Sequence, residues 1–209
     1  VEAYRSMIEP LKALDESDLK YDIPSSLRKL ARERFQKSDF HYSELFYRLT
    51  ADIFTELGQI ELAADTLDSS WEPMFSARNL QTGIDLATKA AEAYTKAGKQ
   101  EAAADVYLKL AEQLLVEGHY DIALERMKLA AQAIPEELKE SKFKPLVLLA
   151  TQYTEKCLKA GDIINARELW QAACEFNETL SRALIERDTN AAVETIEDQQ
   201  TKRPPAASL

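Results

Sequence analysis

Residue types that carry most enzyme chemistry are scarce in this chain. It contains two histidines, His41 and His119, and two cysteines, Cys157 and Cys174. Neither histidine has an acidic residue three places before it, so the carboxylate–histidine pattern that binds metals in helical bundles is missing. The sequence also lacks a Cys-x-x-Cys pair, a glycine-rich phosphate loop and a Gly-x-Ser-x-Gly elbow. We therefore predict a protein that is not an enzyme, with no catalytic residue, cofactor or metal site.

The two cysteines lie in stretches of helical periodicity, where their spacing predicts that both face a core. Buried thiols without a disulfide framework are typical of a reducing compartment, which favours a cytoplasmic location. No apolar run approaches the roughly 20 residues that a membrane-spanning helix needs, and no signal peptide is recognisable. These features predict a cytoplasmic protein that contacts a membrane only peripherally, if at all.

The composition favours helices and protein partners. Hydrophobic residues make up 45% of the chain and charged residues 30%, while glycine and proline are scarce. This balance is typical of an all-helical fold with a buried core. The formal net charge of −10 argues against nucleic-acid binding, which depends on lysine and arginine to neutralise phosphates.

Four of the five glycines begin the same short pattern, in which an alanine follows five residues later. The glycines are Gly58, Gly98, Gly118 and Gly161, and the alanines are Ala63, Ala103, Ala123 and Ala166. Glycine is favoured where a helix ends with positive φ, and alanine in the following turn lets two helices approach closely. Consecutive glycines of this set are 40, 20 and 43 residues apart, and such periods are typical of helical solenoids. The sequence predicts an all-α solenoid of antiparallel helix hairpins, with about eight or nine helices.

The stretch from Ala104 to Pro135 resembles a tetratricopeptide repeat. The residues at its signature positions are Tyr107, Leu110, Ala111, Leu114, Gly118, Tyr120, Ala123, Met127, Ala130 and Pro135. Two of them depart from the pattern, since Tyr107 stands where tryptophan is usual and Ala111 where glycine is. Looser copies surround Gly58, Gly98 and Gly161, so the resemblance covers about residues 39 to 187. It implies a right-handed superhelix of helix hairpins. The unit length also resembles α-solenoids of the α-SNAP type and of coat and intraflagellar-transport subunits.

The periodicity divides the chain into three regions. Residues 1–38 hold N-terminal helices, including a basic helix at 26–37, and residues 39–187 hold the repeats. Within the repeats, residues 68–75 are predicted to be a connector, and Pro145 is predicted to begin a helix. The helix from 162 to 187 is interpreted as a cap, with a homodimer seam as the alternative, and its apolar stripe includes Ile163, Leu169 and Trp170. Residues 188–209 are predicted to be a disordered tail or linker.

Two surfaces and one aromatic residue are candidates for partner binding. The resemblance places the inner face on Asp85, Thr88 and Glu92 in one repeat, on Asp105, Leu108 and Glu112 in the next, and on Leu148, Thr151, Gln152 and Glu155 in the last. This face is acidic to neutral, so we expect a basic or helical ligand there and not the C-terminal carboxylate that some tetratricopeptide repeats bind.

The other candidates lie outside that face. Arg28, Lys29 and Arg32 on the basic helix can meet an anionic membrane or an acidic partner, although an ordinary packing helix is the preferred interpretation. Trp71 in the predicted connector is either an exposed anchor for a partner or, as we prefer, folded back between repeats.

Two functions remain open from the sequence. The first is a non-enzymatic protein–protein interaction scaffold or adaptor, a segment of a larger multi-subunit assembly. The second is a membrane-trafficking or transport-complex subunit of the α-SNAP, coat or intraflagellar-transport type, which would use helix 26–37.

Overall fold

The computed structural model describes residues 23–77 and 79–201, with side chains described as far as Arg182 and at Leu184. These residues form eight α-helices and one short 3-10 helix at Glu136–Leu138. The α-helices are α1 (Ile23–Gln36), α2 (Phe40–Glu56), α3 (Ile60–Ser76), α4 (Leu80–Lys96), α5 (Gln100–Val116), α6 (Tyr120–Ala133), α7 (Lys139–Ala160) and α8 (Ile163–Thr201). The prediction of an all-α solenoid with about eight or nine helices is confirmed. The superhelix handedness implied by the resemblance stays a prediction.

The helices recur every 20 residues through the first part of the chain. Helices α2 to α6 begin at Phe40, Ile60, Leu80, Gln100 and Tyr120, and each of the first four contains 17 residues. The turn between α2 and α3 shows how they end. Gly58 has φ 73°, its N–H donates to Thr55 O at 3.0 Å, and the N–H of Gln59 donates to Phe54 O at 2.8 Å. This hydrogen-bond pair is a Schellman motif, and Gly98, Gly118 and Gly161 make the same pair of bonds at their turns.

Ser38 makes the same turn without glycine. Its φ is 59°, and the N–H of the next residue, Asp39, donates to Arg34 O at 2.9 Å. A search of the sequence for glycine misses this turn. It also misses the turn between α3 and α4, where the N–H of Asn79 donates to Met74 O at 3.2 Å, and therefore the true period of 20 residues.

A small residue occupies the fourth position of every helix from α2 to α6. These residues are Ser43, Ala63, Gly83, Ala103 and Ala123, and all of them are buried. Ser43 Oγ donates to Ala31 O on α1 at 2.8 Å, which fixes the approach of α2 to α1. At Gly83 the approach leaves no room for a side chain, because a Cβ added there would lie 2.9 Å from Phe75 Cβ. Small residues at this position let consecutive helices pack closely.

The chain divides into two compact units, Val1–Ala133 and Ile134–Leu209. In the first unit, consecutive helices from α1 to α6 pack against each other. Side-chain links also join alternate helices. Thr82 of α4 donates to Glu44 of α2 at 3.3 Å, and Lys99, just before α5, pairs with Glu61 of α3 at 3.1 Å. The helices of this unit are therefore held by their neighbours in sequence and by the next helix but one.

The predicted connector at residues 68–75 is wrong, because α3 continues through it to Ser76 with Pro73 inside the helix. Trp71 and Met74 are completely buried, and the Trp71 indole N–H donates to Asp68 Oδ1 at 2.9 Å. An interior proline costs a helix one hydrogen bond. Burial of Trp71, Met74 and Phe75 on one face offsets that loss and keeps the segment helical.

The second unit is built from the 3-10 helix, α7 and α8. Helix α7 packs against α8, with the rings of Phe143 and Phe176 edge to face at 6.2 Å. The prediction that Pro145 begins a helix is wrong, because α7 starts at Lys139. Helix α8 runs to Thr201, so the prediction of a disordered segment from residue 188 is wrong as far as 201.

Three further predictions concern single positions or chain ends. The basic helix begins at Ile23 and not at residue 26. Cys157 is buried as predicted, but Cys174 is exposed, because it lies on the outer side of α8. The part of the predicted N-terminal helical region before residue 23 and the tail at 202–209 lie outside the described residues.

Candidate protein-binding surfaces

An apolar groove of about 440 Å³ lies between α7 and α8. Thr151, Thr154, Glu155 and Leu158 of α7 form one wall, and Ile163, Ala166, Arg167 and Trp170 of α8 form the other. Each wall spans eight residues, and the seven steps from its first to its last residue amount to about 10 Å of helix, or two turns. The groove is therefore as long as two turns of a helix that lies along it.

Large apolar side chains around this groove are exposed. The exposed fractions are 53% for Leu158, 63% for Ile163 and 55% for Trp170, and Leu148, one turn before Thr151 on α7, is 69% exposed. Exposed apolar surface that is concentrated in one place marks interaction sites, and tryptophan is enriched among residues that dominate binding energy. This groove, called the α7/α8 groove below, is the strongest candidate site in the described residues.

The sequence identifies part of the α7/α8 groove. The resemblance implies four inner-face positions in the last repeat, Leu148, Thr151, Gln152 and Glu155. Of these, Thr151 and Glu155 lie in the wall, whereas Leu148 and Gln152 do not line the groove. The sequence places Trp170 and Leu169 in one apolar stripe of their helix. The structure separates them, since Leu169 is 1% exposed. Adjacent residues point about 100° apart on a helix, so only one of them faces α7.

The acidic residues predicted to form one inner face lie on two consecutive helices. Asp85, Thr88 and Glu92 are on α4, whereas Asp105, Leu108 and Glu112 are on α5. Consecutive antiparallel helices cannot occupy the same place in two successive repeats, so the placement of the two sets at equivalent positions of successive repeats, which the resemblance implies, is wrong. A role for either set in binding stays a prediction.

Two of the α4 residues also make hydrogen bonds within the first unit, Asp85 with a side chain and Thr88 with the backbone. Asp85 accepts from Gln81 at 3.0 Å and lies 3.8 Å from Arg48 of α2, and Thr88 Oγ1 donates to Ile84 O. Glu92 and Glu112 are exposed. The structure therefore leaves Glu92 and Glu112 more accessible to a partner than Asp85.

The basic residues of α1 differ in exposure. The Arg28 guanidinium lies over the Phe54 ring at 5.8 Å, so this side chain packs α1 against α2. Lys29 and Arg32 are exposed, and neither forms an ion pair with another described residue. The packing interpretation therefore fits Arg28, while Lys29 and Arg32 remain accessible.

Trp71 offers no surface to a partner. Its side chain is fully buried in α3, with Phe75 packed edge to face at 6.5 Å. The alternative interpretation of Trp71 as an exposed anchor is wrong, and the preferred interpretation, that Trp71 packs inside the repeats, is confirmed.

Two tyrosine hydroxyl groups inside the first unit, those of Tyr94 and Tyr107, have structural roles. Burial, and then the hydrogen bond that Tyr94 donates to Asp65 at 2.6 Å, raise the pKa of the Tyr94 hydroxyl above its usual value. Burial, and then the charge of Glu92, raise the pKa of Tyr107. Both hydroxyls stay protonated at neutral pH, so neither provides a base.

The part of the chain that the structure describes contains no group of three or more His, Cys, Asp or Glu residues placed to hold a metal ion. Among the same residues, no helix has the length and apolarity that crossing a membrane requires.

Comparison with known proteins does not identify a family for this chain. No family model matches the sequence, and no curated protein matches it. A similar solved structure is the crystal structure of BtubC (BKLC) from P. vanneervenii, with 16% sequence identity and a TM-score of 0.46. The match covers 85% of this chain and 72% of that one. A similarity this low carries no argument about function.

Proposed function

We propose that the chain is a non-enzymatic protein-interaction scaffold, built from tetratricopeptide-like helix pairs, that binds a partner protein in the α7/α8 groove. The exposed Trp170 in that groove is the observation that carries the proposal. A tryptophan side chain that stays more than half in water contributes little to folding, and it is the residue type that most often dominates a protein interface.

The repeat assignment is supported by the α5/α6 hairpin. Tyr107, Leu114 and Met127 stand at tetratricopeptide signature positions, and all three are buried between helices that turn at Gly118. Solenoids of helix pairs present extended surfaces for protein ligands, which is why this architecture suits a scaffold inside a larger assembly. We place such an assembly in the cytoplasm.

Affinity capture with matched variants tests this function. Wild-type chain and a Trp170→Glu variant are immobilised and exposed to cytosolic extract, and retained proteins are identified by mass spectrometry. We expect partners that wild type retains and Trp170→Glu loses, because a charge in the groove removes apolar contact. Ile164→Glu is the control, since Ile164 is 75% exposed on the same helix but does not line the groove.

Two results would contradict the groove as the binding site. One is the same set of partners on all three proteins. The other is loss of partners only when Asp85, Glu92, Asp105 and Glu112 are changed to lysine, which would place binding on the acidic helices α4 and α5.

A second candidate function is a subunit of a membrane-trafficking or transport complex of the α-SNAP, coat or intraflagellar-transport type. It is favoured by Lys29 and Arg32, which are exposed on α1 beside Leu30, a leucine that is 40% exposed. Exposed cations next to an apolar side chain suit an anionic lipid surface or an acidic partner.

We expect vesicles of mixed anionic and neutral lipids to co-sediment wild-type chain at low salt. Changing Lys29 and Arg32 to glutamate should release most of it, since each basic residue near such a surface contributes about 1 kcal/mol. Arg28 is left unchanged because it packs on Phe54. Changing Lys156 and Lys159 of α7 to glutamate is the control for total charge. Equal sedimentation of all three proteins would exclude a membrane role for α1.

A further inference from the structure

One wall of the α7/α8 groove occupies a position that is buried in each earlier hairpin that the structure describes. Counted from the start of the second helix in each hairpin, Trp170 corresponds to Tyr47, Ala87 and Met127. Their exposed fractions are 6%, 0% and 0%, against 55% for Trp170. Only the last of the four described hairpins leaves this position in water.

The other wall of the groove is also more exposed than its counterparts. Counted back from the start of the second helix, Leu158 corresponds to Phe35 of α1, Phe75 of α3 and Leu115 of α5. Phe35 is half-buried and the other two are 7% and 1% exposed, whereas Leu158 is 53% exposed. In the α3/α4 hairpin, the next helix of the chain packs against the hairpin. Helix α5 contacts α4, and Lys99, which lies just before α5, pairs with Glu61 of α3. The repeat therefore uses packed helices to cover the positions that form the α7/α8 groove.

Arg167 makes this groove different from its counterparts. The corresponding residues are Ile84 and Leu124, which are apolar and buried, and Glu44, which is charged. Glu44 pairs with Arg48 on its own helix at 2.7 Å and also accepts a hydrogen bond from Thr82 of the next hairpin at 3.3 Å. The charged residue at this position is therefore paired in the first described hairpin. Arg167 is exposed and forms no ion pair with another described residue.

We propose that the α7/α8 groove binds an amphipathic α-helix whose apolar face carries one Asp or Glu that pairs with Arg167. This proposal rests on the protein-binding function proposed above and specifies the partner. The walls span about 10 Å, which matches the distance between the first and last of apolar anchors at positions i, i+4 and i+7 of a helix. Leu158, Ile163 and Trp170 receive the anchors, and Arg167, between Ile163 and Trp170, receives the carboxylate.

The carboxylate gives the site its selectivity. A helix with an uninterrupted apolar face would leave the Arg167 guanidinium covered and unpaired, and a lysine facing Arg167 would add repulsion, whereas a lysine facing the opposite wall would meet Glu155. An Asp or Glu turns the same arginine into a charge-assisted hydrogen bond.

Selection from a displayed peptide library tests the proposal. The probe is an alanine-rich helix of about 18 residues, long enough to form in water, with five randomised positions on one face. The library is selected separately on the full wild-type chain, on Arg167→Glu and on Arg182→Glu. Arg182 is the control for net charge, because it lies on the same helix, outside the groove, and pairs with Glu178.

We expect the wild-type and Arg182→Glu selections to enrich Asp or Glu at one of the randomised positions, and the Arg167→Glu selection to enrich Lys or Arg there. Synthetic peptides from the wild-type selection should bind Arg167→Glu at least about tenfold more weakly than wild type, as expected for reversal of a partly buried charge pair. Binding should also slow the alkylation of Cys174, which is exposed one turn after Trp170, while Cys157 stays buried and unreactive.

Three outcomes would overturn the proposal. One is that no helix is enriched on wild type, and a second is that the same sequences are enriched on wild type and Arg167→Glu. The third is that Trp170→Ala leaves peptide binding unchanged. If any of these is found while Trp170→Glu still loses its captured partners, the groove binds protein of another kind and the proposed function stands. If capture is also insensitive to Trp170, both proposals fail.

Discussion

Replacing Trp71 with alanine is expected to lower the free energy of unfolding by about 3–5 kcal/mol, whereas replacing Trp170 with alanine should change it by less than about 1 kcal/mol. The chain contains two tryptophans, and the same substitution therefore tests a core position and a surface position in one protein. Trp71 is 0% exposed and Trp170 is 55% exposed. Urea denaturation followed by circular dichroism measures both changes without depending on tryptophan fluorescence.

The large effect at Trp71 has two sources. Removing a fully buried indole leaves a cavity between α3 and its neighbours, and the lost contacts include the edge-to-face packing with Phe75. The substitution also removes the donor to Asp68, but that carboxylate stays partly accessible to water and is easily rehydrated. Trp71→Phe separates the two sources, because it keeps most of the ring volume while losing the N–H, and it should cost less than half as much.

Equal costs for Trp71→Ala and Trp170→Ala would contradict this assignment of roles. So would retention of peptide binding by Trp170→Ala, since its side chain is placed in the groove and not in the core. The two tryptophans are therefore expected to behave oppositely, with Trp71 required for stability and Trp170 for binding.

The turns and helices were predictable because their chemistry is local. Gly58, Gly98, Gly118 and Gly161 all adopt positive φ at helix ends, as the glycine pattern predicts. Ser38 adopts the same conformation, and no rule for serine alone would have found it. Its turn is set by the helices on either side, which pack whether or not the turn residue is glycine.

The segment around Trp71 could not be predicted because tertiary packing overrides local preference there. A serine pair followed by Trp-Glu-Pro is a breaking signal for an isolated helix. In the folded chain, Trp71, Met74 and Phe75 share a buried face of α3, and their burial outweighs the bond lost at Pro73. Pro145 inside α7 is the same kind of error, since Phe143 and Leu146 on either side of it are buried.

The candidate site was only partly predictable, because exposure depends on which helices are neighbours. Thr151 and Glu155 were identified from their register in the repeat, and they do line the groove. Trp170 and Ile163 were not identified as groove residues, because an apolar residue on a helix is usually buried. Only the absence of a described helix over this side of α8 leaves them in water. Arg167 carries no sequence signal until it is compared with Ile84 and Leu124 at the same register.

Replacing Gly83 with alanine is expected to lower the free energy of unfolding by about 1–3 kcal/mol, although alanine is the better helix former by about 1 kcal/mol. The added Cβ would lie 2.9 Å from Phe75 Cβ and 3.0 Å from Phe75 Cα and N. Two of these three atoms are backbone, so no side-chain rotation relieves the contact, and α3 and α4 must move apart. The shift in urea midpoint measures the loss, and Gly83→Val should give a larger one.

Ala103→Gly is the control, because Ala103 holds the same register on α5 and is also fully buried. It should cost about 1–2 kcal/mol, from the lower helix propensity of glycine and the loss of one buried methyl group. If propensity alone governed this register, the two substitutions would have opposite signs. Both are expected to destabilise, because the α3–α4 spacing admits only a hydrogen atom at position 83 whereas α5 packs with a methyl group at position 103. Stabilisation by Gly83→Ala would show that α3 and α4 separate at no cost, and that their close approach is not what holds this hairpin together.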